Sequence, residues 1–95
     1  MINVLVTLDV KDFKLLTTFE NKAANIMRAH GGDIIRAFET VRNEDGSGQE
    51  IHLLEFPSDA AFAAYRSDPR LTELEVIRNK AITSTAIIIS SSVKT

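Results

Sequence analysis

Cysteine and tryptophan are absent from the 95 residues, and proline and glycine number only two and four. Without thiols there is no disulfide, no thiolate nucleophile, no iron–sulfur ligation and no cysteine zinc site. A chain this small that folds without a disulfide suits the cytoplasm. Long apolar runs are missing as well. The longest, Ala86-Ile87-Ile88-Ile89, falls far short of the roughly 20 residues a membrane helix needs. It reads instead as a buried strand. Asp9 and Lys11 interrupt the apolar start, so no secretory leader is expected. There is no excess of positive charge either: 11 basic and 13 acidic residues leave a formal charge of −2. Nucleic acid and anionic membrane are therefore not expected as partners, because phosphate binding needs a basic surface. No repeat, linker or low-complexity segment divides the chain.

What remains is ordinary for a folded domain: 44% hydrophobic and 25% charged residues. We expect one domain over residues 1–95. A chain of this size buries only about 60–65% of its unfolded surface, so a partner subunit would help it. Ile2 to Val10 alternates, with Ile2, Val4, Val6 and Leu8 on one face and Asn3, Leu5, Thr7 and Asp9 on the other. Asp9 or Asp12 can cap a helix whose stripe runs Phe13, Leu16, Phe19, Ala23, Ile26, Met27 and His30. Gly31-Gly32 ends it. Strands follow over Asp33–Arg42 and Glu50–Phe56, joined through Asp45-Gly46. Pro57 stops the third strand and Ser58 caps a short helix to Ser67. Asp68-Pro69 interrupts it, and a further helix carries Leu71, Leu74, Ile77 and Ala81. The last strand spans Thr83 to about Val93, with Lys94-Thr95 as a frayed end. The order β-α-β-β-α-β predicts a ferredoxin-like α+β sandwich, a four-stranded antiparallel sheet with helices on one face.

A two-residue loop at Asp45-Gly46 places Arg36 opposite Glu55, Phe38 opposite Leu53 and Thr40 opposite Ile51. Ile35, Ala37, Val41, Leu54 and Phe56 then face the helices. The open face carries Leu5, Phe38, Ile51 and Leu53, with Ile87 or Ile88, among Asn3, Thr7, Arg36, Thr40 and Glu55. That face is too apolar to stay wet. Its natural cover is a second copy, giving a two-fold homodimer through the open sheet face.

Particular segments carry a family likeness: Ala29-His30-Gly31-Gly32, Glu55-Phe56-Pro57-Ser58, Ala63, Tyr65-Arg66-Ser67-Asp68-Pro69 and Arg78. With these the chain resembles the dimeric α+β barrel superfamily. Within it the chain is most similar to small bacterial domains of unknown function related to antibiotic-biosynthesis monooxygenase-like proteins. The resemblance implies dimers whose sheets close into a barrel with a cavity in each half.

Chemistry-bearing residues are few. Arg36 and Glu55, if paired in such a cavity, could bind a carboxylate or enolate and move a proton. They could equally be a cross-strand structural pair. Around them, Asn3, Thr7, Phe38, Thr40 and Leu53 would complete a ligand-binding surface. His30 can serve the end of the first helix. His52 is expected on the helix side opposite Glu39, and two histidines on separate elements are a weak metal signal; no metal site and no cofactor are expected. Arg78 can pair with Glu75 or reach a ligand's acid group. Tyr65 is expected in the core with its hydroxyl at the surface. Ser90-Ser91-Ser92 has no adjacent base and is no nucleophile motif. Three roles stay open: a binder of a small apolar or aromatic metabolite in the cavity between the sheet and a partner copy, a cofactor-independent monooxygenase or isomerase with Arg36 and Glu55 at its site, and a structural or regulatory interaction module.

Overall fold

A computed structural model describes residues 1–90. The elements are β1 (Ile2–Val10), α1 (Phe13–Ala29), β2 (Asp33–Arg42), β3 (Gly48–Phe56), α2 (Asp59–Arg66), α3 (Pro69–Thr72), α4 (Glu75–Ala81) and β4 (Ile82–Ser90). The strands form one antiparallel sheet in the order β2-β3-β1-β4. This is the ferredoxin-like α+β arrangement. The expected run of the last strand through Ser91 and Ser92 to Val93, and the Lys94-Thr95 end, lie outside the described residues. No helix of the described residues is long and apolar enough to cross a membrane.

Local chemistry sets the boundaries. Asp12, not Asp9, caps α1: its Oδ1 accepts from the amides of Lys14 at 2.9 Å and Leu15 at 3.1 Å. At the other end the Gly32 amide donates to Met27 O and the Gly31 amide to Arg28 O, both at 3.0 Å. Gly31 sits at φ 77, the left-handed turn that this pattern of closing bonds requires. Ser58 Oγ caps α2 by accepting from the Ala61 amide at 3.1 Å. The second helical region is in three pieces rather than two. Asp68 caps α3 ahead of Pro69, and α4 begins after Leu74 without any side-chain cap.

The buried stripe of α1 (Phe13, Leu16, Ala23, Ile26, Met27) packs on alternate residues of β1 (Ile2, Val4, Val6, Leu8, Val10). Phe56, Leu16 and Val4 are the largest fully buried side chains. The Phe56 ring lies 5.0 Å from Phe62 and 5.5 Å from Tyr65, centroid to centroid. Side chains buried this way are worth about 1.5–3 kcal/mol each. They tie the short helices to the sheet.

The β2–β3 register corrects the expected one. The Asn43 amide donates to Ser47 O at 2.8 Å and the Gly46 amide to Asn43 O at 3.2 Å. Gly46 is at φ 89, so the loop is a three-residue turn with a left-handed third position, not a two-residue one. Two further register shifts fall between Ile34 and Arg36 and between Glu39 and Val41. Arg36 therefore pairs with Leu53, Phe38 with Ile51, Ala37 with His52, Glu39 with Glu50 and Asp33 with Glu55. The Arg36–Glu55, Phe38–Leu53, Thr40–Ile51 and Glu39–His52 pairings do not form. Ile34, opposite Leu54, takes the inward place expected of Ile35, and Ile35 and Val41 are exposed.

The other face of the sheet carries no helix. Its apolar band is Leu5, Phe38, Ile51, Leu53 and Ile88, with Phe38 52% and Ile88 65% exposed. Ile88 pairs with Leu5, while its neighbour Ile87 pairs with Val6 and packs against the core. A polar row crosses one end: Thr40 Oγ1 donates to Gln49 Oε1 at 2.8 Å, Gln49 Nε2 to Asp9 Oδ1 at 3.5 Å, and Ser84 Oγ to Asp9.

Candidate functional site

One charged residue interrupts the apolar stripe of α1. Glu20 stands four residues after Leu16 and three before Ala23, so it points at the sheet. On β3, Glu50 and His52 share the inward face with Leu54 and Phe56. The three converge. His52 Nε2 lies 2.7 Å from Glu50 Oε2 and 3.4 Å from Glu20 Oε1. His52 is only 6% exposed, and Glu20 Oε1 is buried without a well-formed hydrogen bond.

The three groups set one another's protonation. Burial pushes the Glu50 carboxyl up to about 7, aided by Glu20 and opposed by His52. Burial would lower His52, but its bonds to Glu20 and Glu50 outweigh that and raise it. Burial would raise Glu20, yet contact with His52 and Glu50 leaves it lowered. The three titrate as one coupled group, in which Glu50 is the carboxyl held highest and Glu20 the one held lowest. Among the described residues these are the three whose donor atoms lie within 4.8 Å of one another. That is close enough to share one divalent cation as well as a proton.

Glu20 and His52 form part of the wall of a pocket of about 350 Å³ between the helical layer and the sheet. Glu50 touches His52 but is not part of that wall. The floor is Val6, Leu8 and Ile87, and the apolar walls include Phe19, Met27, Leu54, Phe62 and Tyr65. Burial pushes the Tyr65 phenol up to about 12, and the charge of Arg78 works against it. The hydroxyl expected at the surface thus belongs to a residue that is buried and lines the pocket.

Arg78 lines the opposite side. Its expected pairing with Glu75 does not form; its NH2 donates instead to Thr85 Oγ1 at 2.7 Å. Arg66 lies near the same opening, its guanidinium 5.6 Å from the Phe62 ring centre.

His30 ends α1 as expected, and its ring does more. His30 Nε2 lies 2.8 Å from Asp68 Oδ2, and Arg70 clasps the same carboxylate at 2.8 and 3.1 Å. Arg70 first, then His30, hold the buried Asp68 carboxyl well below the usual range. This clasp fastens the end of α1 to the start of α3.

The residues expected to bind ligand lie elsewhere. Asn3, Thr7, Arg36, Phe38, Thr40, Leu53 and Glu55 are not in the pocket wall. Asn3, Thr7, Arg36, Phe38, Leu53 and Glu55 sit on the helix-free face, and Thr40 is tied to Gln49 there. Arg36 and Glu55 are brought to the same face but not opposite each other. The Glu20–Glu50–His52 group escaped the sequence reading because it joins a helix to a strand. Its signal was a carboxylate at a core position of α1, matched to an inward histidine.

Comparison with known proteins places this geometry in context. The model of the family described as Domain of unknown function (DUF1330) matches residues 3–92. No curated protein matches. A protein of unknown function from Rhodopseudomonas palustris is 17% identical, superposes with a TM-score of 0.79, and is covered over 83% of its chain by 99% of this one. An antibiotic biosynthesis monooxygenase is 15% identical with a TM-score of 0.68, matching 99% of this chain and 100% of its own. SnoaB, a cofactor-independent oxygenase from Streptomyces nogalater, is 9% identical with a TM-score of 0.72 over 99% of this chain and 94% of its own. At these identities the likeness is one of fold.

Proposed function

The chain belongs to that DUF1330 family of unknown function, and we propose that it binds a small, largely apolar or aromatic metabolite between its helices and its sheet. The observation that carries this is the pocket itself. Its volume of about 350 Å³ falls in the range of small-molecule sites. Glu20 and His52 line it from α1 and β3, Arg78 and Thr85 from α4 and β4, and most of the remaining wall is apolar, a mix that can orient a ligand. Filling it with a bulky side chain at Ala23, a buried wall residue, tests the reading. Native mass spectrometry of the freshly purified protein should show an added small mass that Ala23→Phe lacks. A site that takes up no aromatic fragment, in cells or on titration, overturns it.

The same reading includes a second copy of the chain on the helix-free face. Four strands of nine or ten residues present roughly 600 Å² on one side. That approaches what a stable two-fold interface buries per partner. An apolar band flanked by polar residues can pair with itself about a two-fold axis. In such a dimer Asn3, Thr7, Arg36, Phe38, Thr40, Leu53 and Glu55 would meet their counterparts, and the sheets would close as a barrel. Native mass spectrometry reads this too: a dimer supports it, and a monomer at working concentration overturns it.

A cofactor-independent oxygenase or isomerase is the second reading. It is favoured by the Glu20–Glu50–His52 group at the pocket wall, where a bound ligand's acidic hydrogen could be drawn away. Arg36 and Glu55 could take part only across the interface between copies. His52→Gln separates the readings: an enzyme loses its turnover, whereas a pure binding protein shows no turnover before or after the change.

A further inference from the structure

Arg78 is a cation held at the wall of a largely apolar pocket with no carboxylate of the described residues in ion-pair reach. It is half-buried. Its one recorded bond, from NH2 to Thr85 Oγ1 at 2.7 Å, uses one of five donors. Glu75, on the same helix and at the same pocket, is exposed and does not neutralise it. A partly buried guanidinium facing a cavity costs free energy unless something in the cavity answers its charge. Its planar fork fits a carboxylate through two parallel bonds.

Sheet register measures the distance to the other polar end. On the inward face Thr85 pairs with Leu8, while His52 pairs with Val6 two residues away along β1. Two strand spacings across and two residues along put the two ends of the pocket about 12 Å apart, Cα to Cα. Val6, Leu8 and Ile87 form an apolar floor between them. From this the geometry points to a short aromatic carboxylate as the ligand class. Its acid group is held by Arg78 beside Thr85, its ring lies over the floor, and a hydroxyl or keto group at the far end meets His52 and Glu20. This rests on the pocket reading above and narrows it from any apolar molecule to an anion. Of the two roles open to Arg78 in the sequence, it takes the one that reaches a ligand's acid group, and it adds Thr85 beside it.

The test uses two probes of nearly equal shape, 4-hydroxybenzoate and 4-hydroxybenzyl alcohol, titrated into the full chain with the Ile87 methyl shift as the readout. Wild type should bind the carboxylate at least tenfold more tightly than the alcohol. Arg78→Gln should erase that preference and leave the alcohol's affinity within about twofold. Arg78→Lys, which keeps the charge and loses the fork, should retain part of it. Should Arg78→Gln fail to fold by circular dichroism, Thr85→Val serves instead and should cut the preference severalfold. Equal binding of both probes by wild type overturns the anion assignment while the pocket stands. If neither probe moves the Ile87 methyl, the pocket reading falls and the anion with it.

Discussion

Both faces of the sheet carry large apolar side chains, in opposite circumstances. On one, Ile2, Val4, Val6, Leu8, Leu54 and Phe56 lie under helices and are buried. On the other, Leu5, Phe38 and Ile88 stand exposed, with Ile51 and Leu53 half-covered. Ile87 and Ile88 show the contrast within one strand: chain neighbours, equal in hydrophobicity, one against the core and one toward solvent. Apolar character therefore says that a face must be covered but not by what. The covered face has an imperfect lid. The second helical region is three short pieces, α2, α3 and α4, and they leave the pocket beside α1. The bare face has no lid of its own chain among the described residues, and a second copy is the cover we propose for it.

Substitutions should separate the faces sharply. Phe56→Ala removes a fully buried ring and should cost about 3–5 kcal/mol in urea unfolding. Phe38→Ala, measured where the protein is monomeric, should lie within about 0.5 kcal/mol of its parent. Equal losses would mean the bare face is packed after all. Ile88→Glu should halve the mass seen by light scattering and leave the circular dichroism unchanged; an unchanged mass breaks the assignment of that face. The smallest effect concerns the lid's fastening. Asp68 titrates below its ordinary value of 3.8 when folded, so the stability it contributes is full above that pH. It is lost as pH falls below it toward the lower folded value. Asp68→Asn should lower the melting temperature by a few degrees at pH 7 and flatten the decline between pH 4 and pH 2. A variant that keeps the parent's acid slope would place that slope elsewhere.

Much of the fold was legible because its signals are local. Alternation in Ile2–Val10, the spacing from Phe13 to Met27, and the caps at Asp12 and Ser58 all act within a few residues. The hairpin register was not, because Asp45-Gly46 suits more than one turn. Placing Gly46 third in its loop, and adding two shifts in β2, moved Arg36 away from Glu55. The helix-free face was legible from strand parity where the strands run regularly, and the two shifts in β2 broke that parity for Ile35 and Val41. The pocket was not, since it depends on how three short helices lie over the sheet. His52 was expected to face inward, and it does; Glu20 as its partner depended on the docking of α1, which no local pattern records.

Two adjacent residues, Ile87 and Ile88, answer different questions. In an isoleucine-methyl spectrum, Ile88 should shift as the protein is diluted through dissociation of the proposed dimer, with Ile87 nearly still. Adding 4-hydroxybenzoate at constant protein concentration should move Ile87 and leave Ile88 in place. Were the ligand to move Ile88 and spare Ile87, the site would lie between copies on the bare face, and the assignment of the two faces would be wrong.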